Sequence, residues 1–143
     1  MTGLPVPRYV SLKADRVNLR QGPSRAHATK WIYQRAGLPV EVTAEFENWR
    51  RIRDSDGTVG WVLHSLLSGK RTALVEPWKK KAPALPLYSQ PKKTSAITAK
   101  LEPGVLANVK HCDGTWCRIA GHGFDGYMKQ VHLWGVYPGE KVN

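Results

Sequence analysis

Apolar and polar residues alternate in short runs along this chain and nowhere keep the spacing of a long helix. Leu38, Val40, Val42, Ala44 and Phe46 alternate with Pro39, Glu41, Thr43 and Glu45, the period of two that gives a strand one apolar and one polar face. Val105, Ala107 and Val109 do the same against Leu106, Asn108 and Lys110. Turn signals follow, with Asp56-Gly57 ahead of residues 59–63 and Asp113-Gly114 ahead of residues 116–120. Helix is expected only as a turn near residues 64–66 and another near 130–133. Small sheets of this kind avoid open edges by curling into closed or half-closed barrels, so the expected fold class is all-β.

The pattern occurs twice. Gly37, Val42, Trp49, Arg51 and Ile52 recur 67 positions later as Gly104, Val109, Trp116, Arg118 and Ile119. Gly60-Trp61 recurs as Gly126-Tyr127 after a shift of 66, so one loop differs in length. Repeats this long fit two tandem domains better than a solenoid, whose units usually run to about 20–50 residues. The expected organisation is a first barrel over residues 17–75, a short Pro/Lys-rich linker over 76–85 and a second barrel over 86–137. Pro77, Pro83 and Pro86 stiffen that junction.

Charge narrows the partners without choosing one. The 143 residues carry 22 Lys and Arg against 11 Asp and Glu, a formal net charge of +11, which favours nucleic acid, membrane surfaces or acidic polymers. Between Lys70 and Ser95 seven basic residues face one acid, Glu76. Lys79, Lys80, Lys81, Lys92 and Lys93 form a candidate basic patch there. No apolar stretch approaches the roughly 20 residues that span a bilayer as a helix.

Three motifs then point to a family. Val17-Asn18-Leu19-Arg20-Gln21-Gly22-Pro23-Ser24, Trp49-Arg50-Arg51-Ile52 and Gly60-Trp61-Val62 together resemble the bacterial SH3-like domains, in the tandem form found in exported proteins of Gram-negative bacteria. The second copy keeps Trp116-Cys117-Arg118-Ile119 and Gly126-Tyr127-Met128 but departs at its start, where Leu85-Pro86-Leu87-Tyr88-Ser89-Gln90-Pro91 stands. The resemblance implies two tandem small SH3-like β-barrels used for binding cell wall or proteins. It also implies a periplasmic or otherwise exported location, with an export signal that this sequence does not carry.

The candidate chemistry is that of binding. If Ile52 and Ile119 point inward, Trp49 with Arg51 and Trp116 with Arg118 face outward, and a Trp flanked by Arg suits a sugar face or a peptide. Arg20, in the opening loop, joins these as a candidate ligand-binding residue; the alternative for Trp49 and Trp116 is that they cover a barrel edge. Cys112 and Cys117 are expected to form a disulfide if the protein is exported. Simple pairing of Val109 with Ile119 would place their sulfurs on opposite faces unless a bulge shifts the register. The other reading is zinc held with His111 and His122, although these spacings match no common finger. In copy one Glu45 and Arg50 stand at the cysteine positions, where a salt bridge is expected, worth little at a surface.

No acid–base or nucleophile set emerges, since the histidines are scattered and His111 and Cys112 would diverge as neighbours on a strand. The expectation is therefore no catalysis, no cofactor and no metal. The leading function is an envelope module binding peptidoglycan or an envelope protein or peptide. The alternative is a small-barrel nucleic-acid-binding protein, disfavoured because aromatics and basic residues do not interleave along one strand.

Overall fold

The computed structural model describes residues 2–143, and the chain divides between Lys70 and Arg71 into two units. The first holds β1 (Arg8–Leu12), β2 (Val17–Arg20), β3 (Thr29–Tyr33), β4 (Pro39–Phe46), β5 (Trp49–Arg53), β6 (Val59–Leu63) and β7 (Leu67–Ser68). The second holds β8 (Thr72–Val75), β9 (Leu85–Tyr88), β10 (Ile97–Leu101), β11 (Leu106–Asp113), β12 (Trp116–Gly121), β13 (Phe124–Lys129), β14 (Leu133–Trp134) and β15 (Lys141–Val142). The strand orders are β3-β2-β6-β5-β4-β1-β7 and β10-β9-β13-β12-β11-β8-β14, with β15 added against β11. Strand for strand the two orders are the same, and every recorded pairing within them is antiparallel. The expected helical turns are short 3-10 turns at His64–Leu66 and Gln130–His132.

Each unit begins with a strand that lies outside the sequence repeat, β1 in one and β8 in the other. Residues 72–75, expected to end the first barrel, pair instead with β11 and β14. The stretch 76–85, expected to be a linker, runs within the second unit from β8 into β9. The repeat did not reveal these strands because the loops that follow them, after Leu12 and after Val75, differ in length.

A bulge at the same place in both units decides which side chains enter the cores. Pairing of β4 with β5 shifts register between Val42 and Ala44, and pairing of β11 with β12 shifts between Val109 and His111. One extra residue reverses the inward and outward sets beyond it. Phe46, expected on the apolar face, is therefore exposed, while Glu45 turns in. In the second unit the same reversal sets Cys112 directly opposite Cys117, and the two form a disulfide with Cα atoms 4.1 Å apart.

The cores follow from this alternation. Val10, Leu12, Val17, Leu19, Val40, Val42, Ile52 and Val62 fill the first. Val75, Leu87, Leu101, Cys112, Cys117, Ile119, Met128 and Leu133 fill most of the second. Each aliphatic side chain so buried contributes about 1.5–3 kcal/mol. Gly60 and Gly126 allow β2 and β9 to cross closely: a Cβ there would lie 2.8 Å from the Arg20 carbonyl oxygen and 2.7 Å from that of Tyr88.

Candidate functional site

The end of β2 and the loop after it are held by a set of backbone and side-chain hydrogen bonds. Gln21 N–H donates to the Ala28 carbonyl (3.0 Å), Ser24 N–H to that of Gly22 (2.9 Å) and His27 N–H to that of Ser24 (3.3 Å). Arg20 ties the loop down from outside, its Nη1 donating to the carbonyls of His27 (3.0 Å) and Arg25 (3.3 Å). Ser24 Oγ and His27 Nδ1 lie 2.8 Å apart. The His27 ring lies where a Cβ on Gly22 would be, so glycine at this position leaves room for the ring to fold back onto the loop.

Beside this loop lies a cleft of about 340 Å³. Arg16, Asn18, Arg20 and Arg25 line one part of it, and Trp49, Leu63, Ser65 and Leu66 the other. Among the described residues no carboxylate lines it, and neither Arg16 nor Arg25 belongs to any described ion pair. Unneutralised guanidinium groups beside an apolar wall favour a ligand that carries carboxylate or phosphate on an apolar frame.

The expected binding residues are placed as follows. Arg20 and Trp49 meet in the cleft. Trp49 is on the outward strand parity but only 8% exposed, which fits the alternative of a ring covering a barrel edge and makes it a wall of the cleft rather than an open platform. Arg51 is exposed and faces Trp61 across β5 and β6, while Trp61 pairs in turn with Arg20. Arg51 itself does not line the cleft. The sequence did not single out Arg16, Asn18, Arg25 or Ser65. Asn18 was within reach, since it stands two residues before Arg20 on the same strand face.

The second unit repeats the frame and changes the surface. Its loop closes with the same backbone pattern, from Ser89 N–H to Ala96 O (2.8 Å), Lys92 N–H to Gln90 O (2.7 Å) and Ser95 N–H to Lys92 O (3.2 Å). Tyr88 occupies the position of Arg20, pairing with Tyr127 as Arg20 pairs with Trp61. Its ring meets Trp116 edge-on at 5.8 Å, and Lys129 Nζ lies 5.8 Å over the Trp116 ring. Arg118 is held by both oxygens of Asp125 at 2.9 and 2.8 Å. That pair lowers the Asp125 carboxyl below its usual range, chiefly through the side-chain hydrogen bond. Val59 fills the corresponding place in the first unit, so Arg51 lacks this acid.

Of the basic patch, Lys79 pairs with Glu76 at 3.3 Å, and Lys80, Lys81, Lys92 and Lys93 are exposed. With both sulfurs in the disulfide, neither cysteine is a thiolate for zinc or for nucleophilic attack. No helix among the described residues is long and apolar enough to cross a membrane.

A family model described as the bacterial SH3 domain matches the chain twice, over residues 13–69 and 81–135. No curated protein matches it significantly by sequence. Similar solved structures include NlpC2 from Trichomonas vaginalis, at 15% identity and a TM-score of 0.40, covering 92% of this chain and 49% of that one. NlpC1 from the same organism gives 16% and 0.39, covering 93% and 47%. An NlpC/P60 family protein from Bacillus cereus ATCC 10987 gives 11% and 0.38, covering 88% and 55%. The present chain thus spans about half the length of these structures.

Proposed function

The chain belongs to the bacterial SH3 domain family, and from that premise we propose that it is a non-catalytic binding module of the bacterial envelope whose first unit holds anionic groups of peptidoglycan or of an envelope protein. The observation that carries this reading is the difference between two equivalent surfaces. One has a cleft with Arg16, Arg20 and Arg25 and no lining acid. At the other, Tyr88 replaces Arg20, its ring against Trp116, and Arg118 is neutralised by Asp125. Wall peptides present carboxylates on short apolar frames, which matches guanidinium groups set beside Trp49, Leu63 and Leu66. The disulfide supports an oxidising compartment, hence export to the periplasm or beyond.

Purified murein sacculi test the polymer form of this reading directly. Retention of the full chain at low salt, declining as salt rises, is the expected result. A chain that ignores sacculi but shifts single-stranded nucleic acid at moderate salt is instead the small-barrel nucleic-acid-binding protein.

A further inference from the structure

Away from the cleft, the second unit carries a turn whose sequence, Glu76-Pro77-Trp78-Lys79-Lys80-Lys81, has no counterpart in the first. Glu76 is buried with a positive φ of 33°, a conformation that a residue with a side chain keeps only when its surroundings hold it. They do. Its N–H donates to the His132 carbonyl at 2.7 Å and its carbonyl accepts from Lys79 N–H at 3.0 Å. Its carboxylate lies 3.0 Å from His132 Nδ1 and 3.3 Å from Lys79 Nζ. The turn is therefore pinned at its base, with Trp78 left 51% exposed at its tip. The same contacts bring the 3-10 turn beside it, where Val131 is 65% exposed. Lys80 and Lys81 follow, exposed and outside every described ion pair. Glu76, the one acid between Lys70 and Ser95, is already occupied.

We propose that this turn is a peripheral contact for an anionic lipid bilayer, with Trp78 and Val131 entering the headgroup layer and Lys80 and Lys81 meeting its negative charge. A Trp ring, apolar with one polar edge, favours that layer, and each nearby Lys raises partitioning onto an anionic surface by about fivefold. The arrangement fits lipid better than nucleic acid. It is a turn with one exposed aromatic ring and ammonium point charges, whereas single strands need a groove of stacked rings. Binding of this strength is reversible and salt-dependent, a surface contact and not a span.

The test is co-sedimentation of the full chain with vesicles of phosphatidylcholine alone and of phosphatidylcholine mixed with phosphatidylglycerol. Expected are sedimentation with the mixed vesicles only, loss in high salt, a severalfold loss in Trp78→Ala, and near-complete loss in Lys80→Glu with Lys81→Glu. Thermal melts of each variant establish that the fold persists; both changes are at exposed positions. Lys92→Glu with Lys93→Glu removes the same charge elsewhere on this unit and is expected to bind nearly as the parent does. Equal loss in that control would overturn the proposal in favour of diffuse attraction to net charge. Absence of binding to the mixed vesicles, or a gel shift with RNA in their place, would overturn it outright. None of these variants touches the cleft of the first unit, so either outcome leaves the reading of that cleft independent.

Discussion

Glu45 and Arg50 occupy in the first unit the positions that the disulfide occupies in the second, and they are not the surface pair that alternation suggested. Their side chains are 5% and 7% exposed, because the bulge before them turns Glu45 inward. The Thr2 hydroxyl, Arg8 (2.8 Å) and the Thr2 N–H bind the carboxylate, with Arg50 at 3.9 Å. Led by the Thr2 hydroxyl, these partners bring its pKa from 4.5 down to about 2. A carboxyl more acidic when folded adds stability above its unfolded value and loses it as pH falls toward the folded one. Thermal melts should therefore show the first unit weakening between about pH 4.5 and pH 2, and Glu45→Gln should flatten that part of the profile while lowering stability at neutral pH. Trp49 makes a second case. Its burial makes Trp49→Ala a cavity mutation costing about 3–5 kcal/mol, read as a lower denaturation midpoint. A variant that kept its stability and lost only binding would mean that Trp49 is an exposed platform after all.

At the scale of elements, the strands of the repeat were legible because alternation and turn chemistry agree. Asp113 Oδ1, for instance, accepts from Thr115 and Trp116 N–H groups, as the Asp-Gly signal implies. The bulges were not legible, since Thr43 and Lys110 have nothing in their chemistry to mark an extra residue. In β4 this placed Phe46 and Glu45 on the wrong faces, whereas in β11 the expected disulfide already called for the register shift that the strand makes. β1 and β8 were missed for another reason: Tyr9, Val10 and Ser11 are all buried, so no alternation announces β1. Loss of the Gly-Pro-Ser signature in the second copy concealed that its loop keeps the same backbone bonds. Two measurements address this level. Gly60→Ala should destabilise the first unit by about 1–3 kcal/mol, as overpacking does where backbone is the neighbour, visible as a lower melting temperature. Opening the short Cys112–Cys117 loop by reduction should cost about 2 kcal/mol, with intact mass before and after alkylation confirming the bond.

Over the whole molecule, the chain is one strand order used twice with two surfaces. In the first unit cations without acids line a cleft, while the second places rings and a neutralised arginine at the same positions. Of the candidate residues, Arg20 and Trp49 were readable from motif and parity. Arg16 and Arg25, which flank the opening motif, carry no pattern that marks them as lining a cleft, and Ser65 comes from a 3-10 turn distant in sequence. The most direct measurement compares sacculus retention of two charge-reversed chains: Arg16→Glu with Arg25→Glu in the cleft, and Lys92→Glu with Lys93→Glu in the second unit's loop. Both change net charge equally, so a difference between them reports the site. The cleft variant should lose at least about tenfold in retention, as expected for charge-assisted hydrogen bonds, and the loop variant should stay near the parent. Equal retention by the two variants would contradict a binding cleft in the first unit.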